Sequence, residues 1–176
     1  MPTIITHPAV PLALGLALGR GLISTRLMWA GVAASVIPDL DVIGFRFGIA
    51  YGDAWGHRGA THSLFFAAAL GCAATMARRW FRAPAWLCFV FVALCAASHG
   101  LLDILTNGGL GVALFWPFSE TRYFFPVRII EVSPLSIRGV IGERGFSVFG
   151  SELLWVWLPA IGLAILSRFI RHKRAT

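Results

Sequence analysis

Five long apolar runs dominate the sequence of this 176-residue chain. They cover residues 8–22, 27–45, 61–76, 84–106 and 153–170. Most are close to the roughly 20 residues that a helix needs to cross the hydrocarbon core of a bilayer. Only 13% of the residues are charged, which is about half the share found in a soluble domain. The sequence therefore predicts an all-α, polytopic membrane bundle of about five helices, formed as one domain by residues 1–176.

Basic residues mark one side of this predicted bundle. Nine of the fifteen Lys and Arg lie in the breaks 20–26 and 77–83 and in the tail 168–176. Short cytoplasmic segments are enriched in Lys and Arg, so these segments and the C-terminus are expected in the cytoplasm. The lack of one continuous basic face argues against a nucleic-acid partner. No Lys or Arg precedes the first run, which predicts a retained helix and not a cleaved signal peptide.

The segment 107–152 is expected to be a long, irregular loop on the extracytoplasmic side. Pro and Gly interrupt its apolar patches too often for a membrane span. Its many aromatic residues are typical of a segment that lies at headgroup depth. The loop also carries Arg122, Arg128, Arg138 and Arg144. It could cover a site formed by the helix ends.

Seven ionisable side chains fall at the ends of the predicted helices. Such groups are costly inside apolar spans and indicate a functional site. On the predicted topology all seven lie at the same outer rim. Imidazole and carboxylate are the usual ligands of zinc other than thiolate, so the sequence predicts one or two divalent ions, with zinc as the expected metal. The candidate ligands are His7, Asp39, Asp41, His57, His62, His99 and Asp103.

Each motif alone also has a structural interpretation. The i, i+4 spacing of His99 and Asp103 places both on one helix face, where they could form a structural pair or share a metal. The carboxylates of Asp39 and Asp41 could belong to a turn, but they repel each other unless a cation lies between them. Thr61 is expected to cap the third helix, which would place His62 in its first turn.

The order of these motifs resembles the YdjM-like family of predicted inner-membrane metal-dependent hydrolases. The motifs are Thr6-His7, Pro38-Asp39-Leu40-Asp41, His57-Arg58-Gly59-Ala60-Thr61-His62-Ser63, Ser98-His99-Gly100-Leu101-Leu102-Asp103 and Leu114-Phe115-Trp116-Pro117-Phe118. The resemblance implies a metal-dependent hydrolase of the inner membrane.

A more distant likeness is to one zinc site of the bacterial zinc-dependent phospholipases C, which are all-helical. It implies that Asp39 or Asp41, His57 or His62, His99 and Asp103 hold one metal. Those enzymes have further histidines downstream for additional zinc ions. Here only His172 follows Asp103, so one or two ions are expected instead of three.

The resulting hypothesis is hydrolysis of a phosphoester in a lipid or lipid-linked substrate at the periplasmic rim. Asp41 is expected to accept the proton. Arg58 is expected to hold an anionic substrate oxygen, or else to anchor the chain at the interface, with Arg122 or Arg128 as helpers. One of the four acids of the loop and its exit could support the site as an extra ligand, with Glu131 preferred, but each is expected to be exposed at the surface; they are Glu120, Glu131, Glu143 and Glu152.

Two other functions are compatible with the same residues. A metal could be purely structural in a membrane scaffold or regulator without turnover. The cluster could also serve metal transport, but the inner halves of the apolar runs lack the polar residues that an ion path needs. Hydrolysis is the prediction that the sequence favours.

Overall fold

The computed structural model describes residues 1–134 and 142–175, and these ranges contain helices and no β-strand. Arg138 of the predicted loop lies outside them. The α-helices are α1 (Ala9–Leu18), α2 (Thr25–Ala34), α3 (Leu64–Met76), α4 (Arg78–Phe81), α5 (Ala85–Ile104), α6 (Glu143–Glu152) and α7 (Leu158–Ala175). Two 3-10 segments cover Ile37–Phe47 and Ala60–His62, and a π-helical turn, Leu153–Trp157, joins α6 to α7.

Among the described residues, three helical stretches are long and apolar enough to cross a membrane. They are Thr25–Phe47, Ala85–Ile104 and Glu143–Lys173. The shorter apolar helices Ala9–Leu18 and Leu64–Met76 complete the set. These elements correspond to the five apolar runs of the sequence and confirm the predicted helical membrane bundle.

Helix α5 lies at the centre of the bundle and packs against α3 and α2. Small side chains let the helices approach closely. A Cβ atom at Gly71 of α3 would lie 2.9 Å from the Phe89 carbonyl oxygen of α5, so a larger residue there would force the two helices apart. Leu27, Cys88 and Phe91 are buried in the core that results.

The loop predicted over 107–152 is shorter in the structure, because its last ten residues form α6. Gly145, Val148 and Glu152 are buried and lie three and four positions apart, which is the spacing of one helical face. Glu143 lies in the first turn, where the helix dipole favours an acidic side chain. Hydropathy alone does not reveal this helical face, because glycine and glutamate occupy two of its buried positions.

Residues 107–134 cover the end of α5. The Phe125 N–H donates to the Ile104 carbonyl oxygen at 2.8 Å, and the Ile130 N–H donates to Leu105 at 3.1 Å. Further along, the Ser133 N–H donates to the carbonyl oxygen of Met1 at 2.9 Å. These backbone hydrogen bonds tie the loop and the N-terminal segment to the same end of the bundle.

Candidate metal centre

The seven predicted ligands meet at one end of the bundle. Helix α1 begins there, just after His7, and α5 ends there with His99 and Asp103. The 3-10 segments contribute Asp39, Asp41 and His62, and His57 lies in the turn just before the second of them. The side chains of the candidate ligands are at most 3% exposed. The predicted convergence of these helix ends is therefore present in the structure.

The 3-10 geometry of Ile37–Phe47 separates the two carboxylates of the Asp-Leu-Asp motif. Three residues complete one turn of such a helix, so positions two apart point about 120° away from each other. Asp39 faces the histidines, while Asp41 lies behind two of them. The two carboxylates therefore do not need a shared cation between them, because Asp39 faces the Nε2 atom of His62 and Asp41 faces its Nδ1 atom.

Three imidazole nitrogens each face two carboxylates. His99 Nε2 lies 3.4 Å from Asp39 Oδ1 and 4.0 Å from Asp103 Oδ2. His62 Nε2 lies 3.8 Å and 3.4 Å from the same two oxygens. His7 Nε2 lies 3.8 Å from Asp39 Oδ2 and 3.9 Å from Asp103 Oδ1. Ligands bound about 2 Å from a common ion are separated by roughly 3 to 4 Å, so these spacings fit a shared metal.

Three of these side chains lack hydrogen-bond partners. Within the described part of the chain, both ring nitrogens of His7 and all four carboxylate oxygens of Asp39 and Asp103 are buried without one. Buried carboxylates are costly unless a cation or a donor compensates them. Together with Asp41 and the guanidinium of Arg58, the centre contains three carboxylates and one positive side chain. With the histidines neutral, the form in which they bind a metal, the surplus of two negative charges suits a divalent cation.

The hydrogen bonds of two histidines fix which nitrogen faces the centre. His99 Nδ1 lies 2.7 Å from the Ser35 carbonyl oxygen, and His62 Nδ1 lies 3.2 Å from Asp41 Oδ2. These oxygens favour hydrogen on Nδ1 when the rings are neutral, which would leave the two Nε2 atoms, 2.9 Å apart, with lone pairs that face the centre. Lone pairs at that distance repel unless positive charge lies with them. In metal sites, the ring nitrogen that does not bind the metal typically donates to a carboxylate or a backbone carbonyl oxygen in the same way.

The pKa values of two histidines outside the membrane spans reflect the same environment. Burial lowers the pKa of His62, but the nearby carboxylates of Asp103, Asp39 and Asp41 outweigh it and raise that pKa to about 10. Burial lowers the pKa of His7 to about 3. His7 is thus neutral at physiological pH, which is the form that binds a metal, and His62 lies where the carboxylates attract positive charge most strongly.

Asp41 orients the turn that carries the two histidines of the third motif. Its Oδ1 lies 2.7 Å from His57 Nδ1. Its Oδ2 accepts from the Arg58 N–H at 3.2 Å and from the Thr61 hydroxyl at 2.9 Å, and it lies close to His62 Nδ1. The structure therefore places Asp41 behind the candidate ligands, in the position of a supporting carboxylate.

Six of the seven residues form two groups that could hold a metal. In each group, one ligand atom of every residue lies within 4.8 Å of the others. Contacts of 2.9 to 3.8 Å link the two groups, so they form one cluster with room for one or two ions by ligand count. The groups are His7, His99 and Asp103, and Asp39, His57 and His62.

Arg58 is fully buried and contacts the centre through Asp103. Its Nε lies 3.2 Å from Asp103 Oδ2, while Nη1 donates to the Gly108 carbonyl oxygen at 2.8 Å and Nη2 to the Thr106 hydroxyl at 2.9 Å. Its backbone has φ of 65°, a left-handed conformation that is strained for a residue with a side chain. The guanidinium is therefore committed to the protein interior, and Arg58 can position Asp103.

The two loop arginines occupy different surroundings. Arg122 donates to the carbonyl oxygens of His57 at 2.9 Å and Tyr51 at 3.2 Å. It thus ties the loop to the segment that precedes the third motif. Arg128 is exposed and lies 4.0 Å above the ring of Phe124.

The fold buries Glu152, and not Glu131, which the sequence favoured as the extra ligand. Glu120 is exposed, and Glu131 is only partly buried. Glu152 is 1% exposed, and its carboxylate accepts hydrogen bonds from the Thr3 N–H, from the Thr3 hydroxyl at 2.6 Å and from the Thr6 hydroxyl at 2.7 Å. It therefore fixes the segment directly before His7. In the sequence, the only sign of this role is that Glu152 directly precedes the apolar run 153–170.

We expect Glu152→Ala to destabilise the protein by about 1.5 to 3 kcal/mol, because buried donors on Thr3 and Thr6 lose a charged acceptor. The midpoint of thermal unfolding in detergent measures the effect. Glu143→Ala is the matched control, since this exposed acid in the first turn of α6 contributes less than about 1 kcal/mol. Equal midpoints for the two variants would contradict the anchoring role.

The third helix begins later than expected. Ser63, not Thr61, is its N-cap, and the Ser63 hydroxyl accepts from the Phe66 N–H at 3.0 Å. Thr61 instead donates to Asp41, and His62 ends the 3-10 turn before the helix. The correction matters because the turn, and not the helix, directs His62 into the centre.

We expect Gly100→Ala to lower metal affinity and to destabilise the fold by about 1 to 3 kcal/mol. A Cβ atom there would lie 2.6 Å from the His62 carbonyl oxygen, so the turn that carries this ligand must move away from α5. Metal titration and thermal unfolding report the two effects. Gly162→Ala is the control: a Cβ atom there meets nothing within 4 Å, and its helix should become slightly more stable.

The chain is similar to bacterial inner-membrane proteins over nearly its whole length. Residues 1–175 match the family described as YdjM inner membrane protein. The chain is also 47% identical over 162 residues to inner membrane protein YbcI of Escherichia coli strain K12, covering 92% of this chain and 94% of that protein. No solved structure matches it. These matches confirm the family resemblance: the chain is an inner-membrane protein embedded in the lipid bilayer, and it belongs to the YdjM inner membrane protein family.

Proposed function

We propose that this protein is a metal-dependent hydrolase that cleaves a phosphoester of a lipid or lipid-linked substrate at the periplasmic side of the inner membrane. The observation that carries the proposal is the set of buried ligand atoms without partners on His7, Asp39 and Asp103. Evenly spaced imidazole nitrogens and carboxylate oxygens around a surplus of negative charge favour a divalent metal. Zinc fits this donor set best, and the likeness to phospholipases C stays a prediction.

The residues of the centre divide into ligands and supporting groups. We assign the metal to His7, Asp39, His62, His99 and Asp103, with His57 within reach at the edge of the cluster. When bound, a divalent metal supplies Lewis-acid polarisation of a phosphoester and activation of water.

Asp41 and His57 form the pair that we assign to proton transfer. Because Asp41 Oδ1 holds the hydrogen on His57 Nδ1, the Nε2 lone pair of His57 can accept a proton. Both oxygens of Asp41 already accept from donors, which favours the pair over Asp41 alone. Arg58 acts through Asp103, and its expected contact with a substrate oxygen gives way to this positioning role.

A lipid substrate is favoured by the surface around the centre. Large apolar side chains are exposed on the 3-10 segment and on the covering loop, among them Phe47 at 80% and Phe118 at 87%. Such side chains are typical of a protein end that lies among lipid headgroups and acyl chains. The others are Leu40, Ile43, Phe45, Phe115 and Phe125, and Trp55 is exposed between the two 3-10 segments.

The orientation in the membrane is part of the same proposal. The arginines of the breaks near residues 20–26 and 77–83 lie at the opposite end of the helices from the candidate metal centre. By the positive-inside rule this basic end and the C-terminus face the cytoplasm. The buried charged side chains of the described residues all lie at the metal end, and the core between the two ends is apolar. That distribution disfavours a path for ion transport.

A structural metal without turnover is the second candidate. The nearly complete burial of the ligands supports it, because an ion there would join α1, α5 and the two 3-10 segments. In that case the protein would be a membrane scaffold or regulator.

One experiment separates the two candidates. Purified protein in lipid nanodiscs is analysed for bound metal and for phosphate or headgroup release on a panel of phospholipids, before and after chelation. A hydrolase releases product with metal present and stops without it, and readdition restores turnover. Stoichiometric metal with a large loss of thermal stability on chelation, and no product from any lipid, would support the structural candidate. Metal-free protein with full turnover would contradict both.

A further inference from the structure

A second polar feature lies at the other end of α1 and α2. There, the C-terminal end of α1, the first residues of α2 and the C-terminal half of α7 enclose a cavity of about 780 Å³. Three arginines, Arg20, Arg168 and Arg171, line it, together with apolar side chains that include Met28 and Trp29. Helix α1 has ten residues, which separates this cavity from the metal centre by about 15 Å of helix.

The cavity has a strong excess of positive charge. None of its lining residues is acidic, and the sequence has no Asp or Glu before Asp39 or after Glu152. These exposed guanidinium groups, with no carboxylate among the residues that line the cavity, make the region attractive to an anion from outside the chain.

The cavity is built to hold one of these guanidinium groups in place. Arg171 Nη2 donates to the Leu16 carbonyl oxygen at 2.7 Å, near the C-terminal end of α1. Gly19 has φ of 81°, and a Cβ atom there would lie 1.8 Å from Arg171 Nη1. A side chain at position 19 would therefore displace the guanidinium. The partial negative charge of the helix end stabilises Arg171 in this position.

Arg168 and the apolar walls complete the site. Arg168 precedes Arg171 by three positions on α7, so both lie on the same face of that helix. Met28, Trp29 and Ile165 form walls that a soluble anion such as inorganic phosphate would not use. A diacyl phospholipid would use both parts, with its phosphate at the arginines and an acyl chain along the apolar walls.

We propose that this cavity binds the headgroup phosphate of an anionic phospholipid. Basic pockets between transmembrane helices are suited to such headgroups. Phosphatidylglycerol is the probe of this class, and phosphatidylcholine, which carries no net charge, is the lipid control. The site is distinct from the metal centre, and the proposal does not depend on hydrolysis.

The test measures lipid retention by native mass spectrometry and thermal unfolding in nanodiscs. For the unaltered protein, phosphatidylglycerol is retained and raises the midpoint of unfolding relative to phosphatidylcholine. Arg168→Gln, which leaves the contact of Arg171 with α1 intact, should weaken retention at least fivefold, and a double variant with Arg171→Gln should weaken it further. Arg79→Gln is the matched control, because Arg79 lies in α4, outside the cavity.

Three results would overturn the proposal. Equal retention of phosphatidylglycerol by Arg168→Gln and the unaltered protein excludes the cavity as the site. Full competition by millimolar inorganic phosphate shows a general anion site. Equal losses for Arg79→Gln and Arg168→Gln show that the charge of this membrane face attracts the lipid without a built pocket.

Discussion

Replacing His99 by alanine is expected to remove the bound metal and to reduce hydrolysis by about a thousandfold. His99 Nε2 faces both Asp39 and Asp103, and its other nitrogen is held by the Ser35 carbonyl oxygen. A catalytic metal contributes several kcal/mol of transition-state stabilisation, and about 4 kcal/mol corresponds to a factor of about 1000 in rate. Metal content per protein and initial rates on the active lipid measure the two effects.

His172→Ala provides the matched control for this prediction. His172 is exposed on α7 and is the one histidine outside the predicted ligand set. Its removal should leave metal content and rate unchanged. If His99→Ala kept one equivalent of metal and the rate of the unaltered protein, the assignment of His99 as a ligand would be wrong.

Asp103→Asn is expected to have the largest effect on stability, a loss of about 3 to 5 kcal/mol. The carboxylate of Asp103 is completely buried beside the guanidinium of Arg58, at 3.2 Å. Removing one partner of a buried ion pair leaves the other charge uncompensated, which costs about this much. The substitution also removes a candidate metal-binding carboxylate that lies within 4.0 Å of His7, His62 and His99. Unfolding by heat or denaturant in detergent, with and without chelator, measures the change.

The control for Asp103→Asn is Glu120→Gln, at an exposed acid of the covering loop. It should change the free energy of unfolding by less than about 0.5 kcal/mol. A second variant, Arg58→Met, tests the pair from the other side. If the ion pair accounts for the loss, the double variant should be less destabilised than the sum of the single variants. Additive effects would mean that Arg58 and Asp103 do not stabilise each other.

The convergence of the ligands could be predicted because polar groups stand out in apolar runs. His99 and Asp103 are four residues apart in a continuous helix, and such spacing fixes their common face. The helix ends then follow from chain direction, since successive membrane helices alternate. This reasoning placed His7, His62 and Asp39 at one rim without any knowledge of contacts.

The separate roles of Asp39 and Asp41 were beyond the reach of sequence. Hydropathy continues through residues 37–47 and gives no sign that the backbone there is 3-10 and not α. That change of pitch decides which carboxylate faces the histidines and which one supports them. The burial of Glu152 was also missed, because its donors, Thr3 and Thr6, are almost 150 residues away along the chain.

Arg58 connects two carboxylates of the candidate metal centre, those of Asp41 and Asp103. Its backbone N–H binds the carboxylate of Asp41, and its side chain binds that of Asp103. A shift of either carboxylate must therefore be transmitted to the other through a single residue whose own conformation is strained. Affinity for the proposed metal and the distance between Asp41 and His57 are consequently linked properties. A substitution that alters one should not leave the other at its original value.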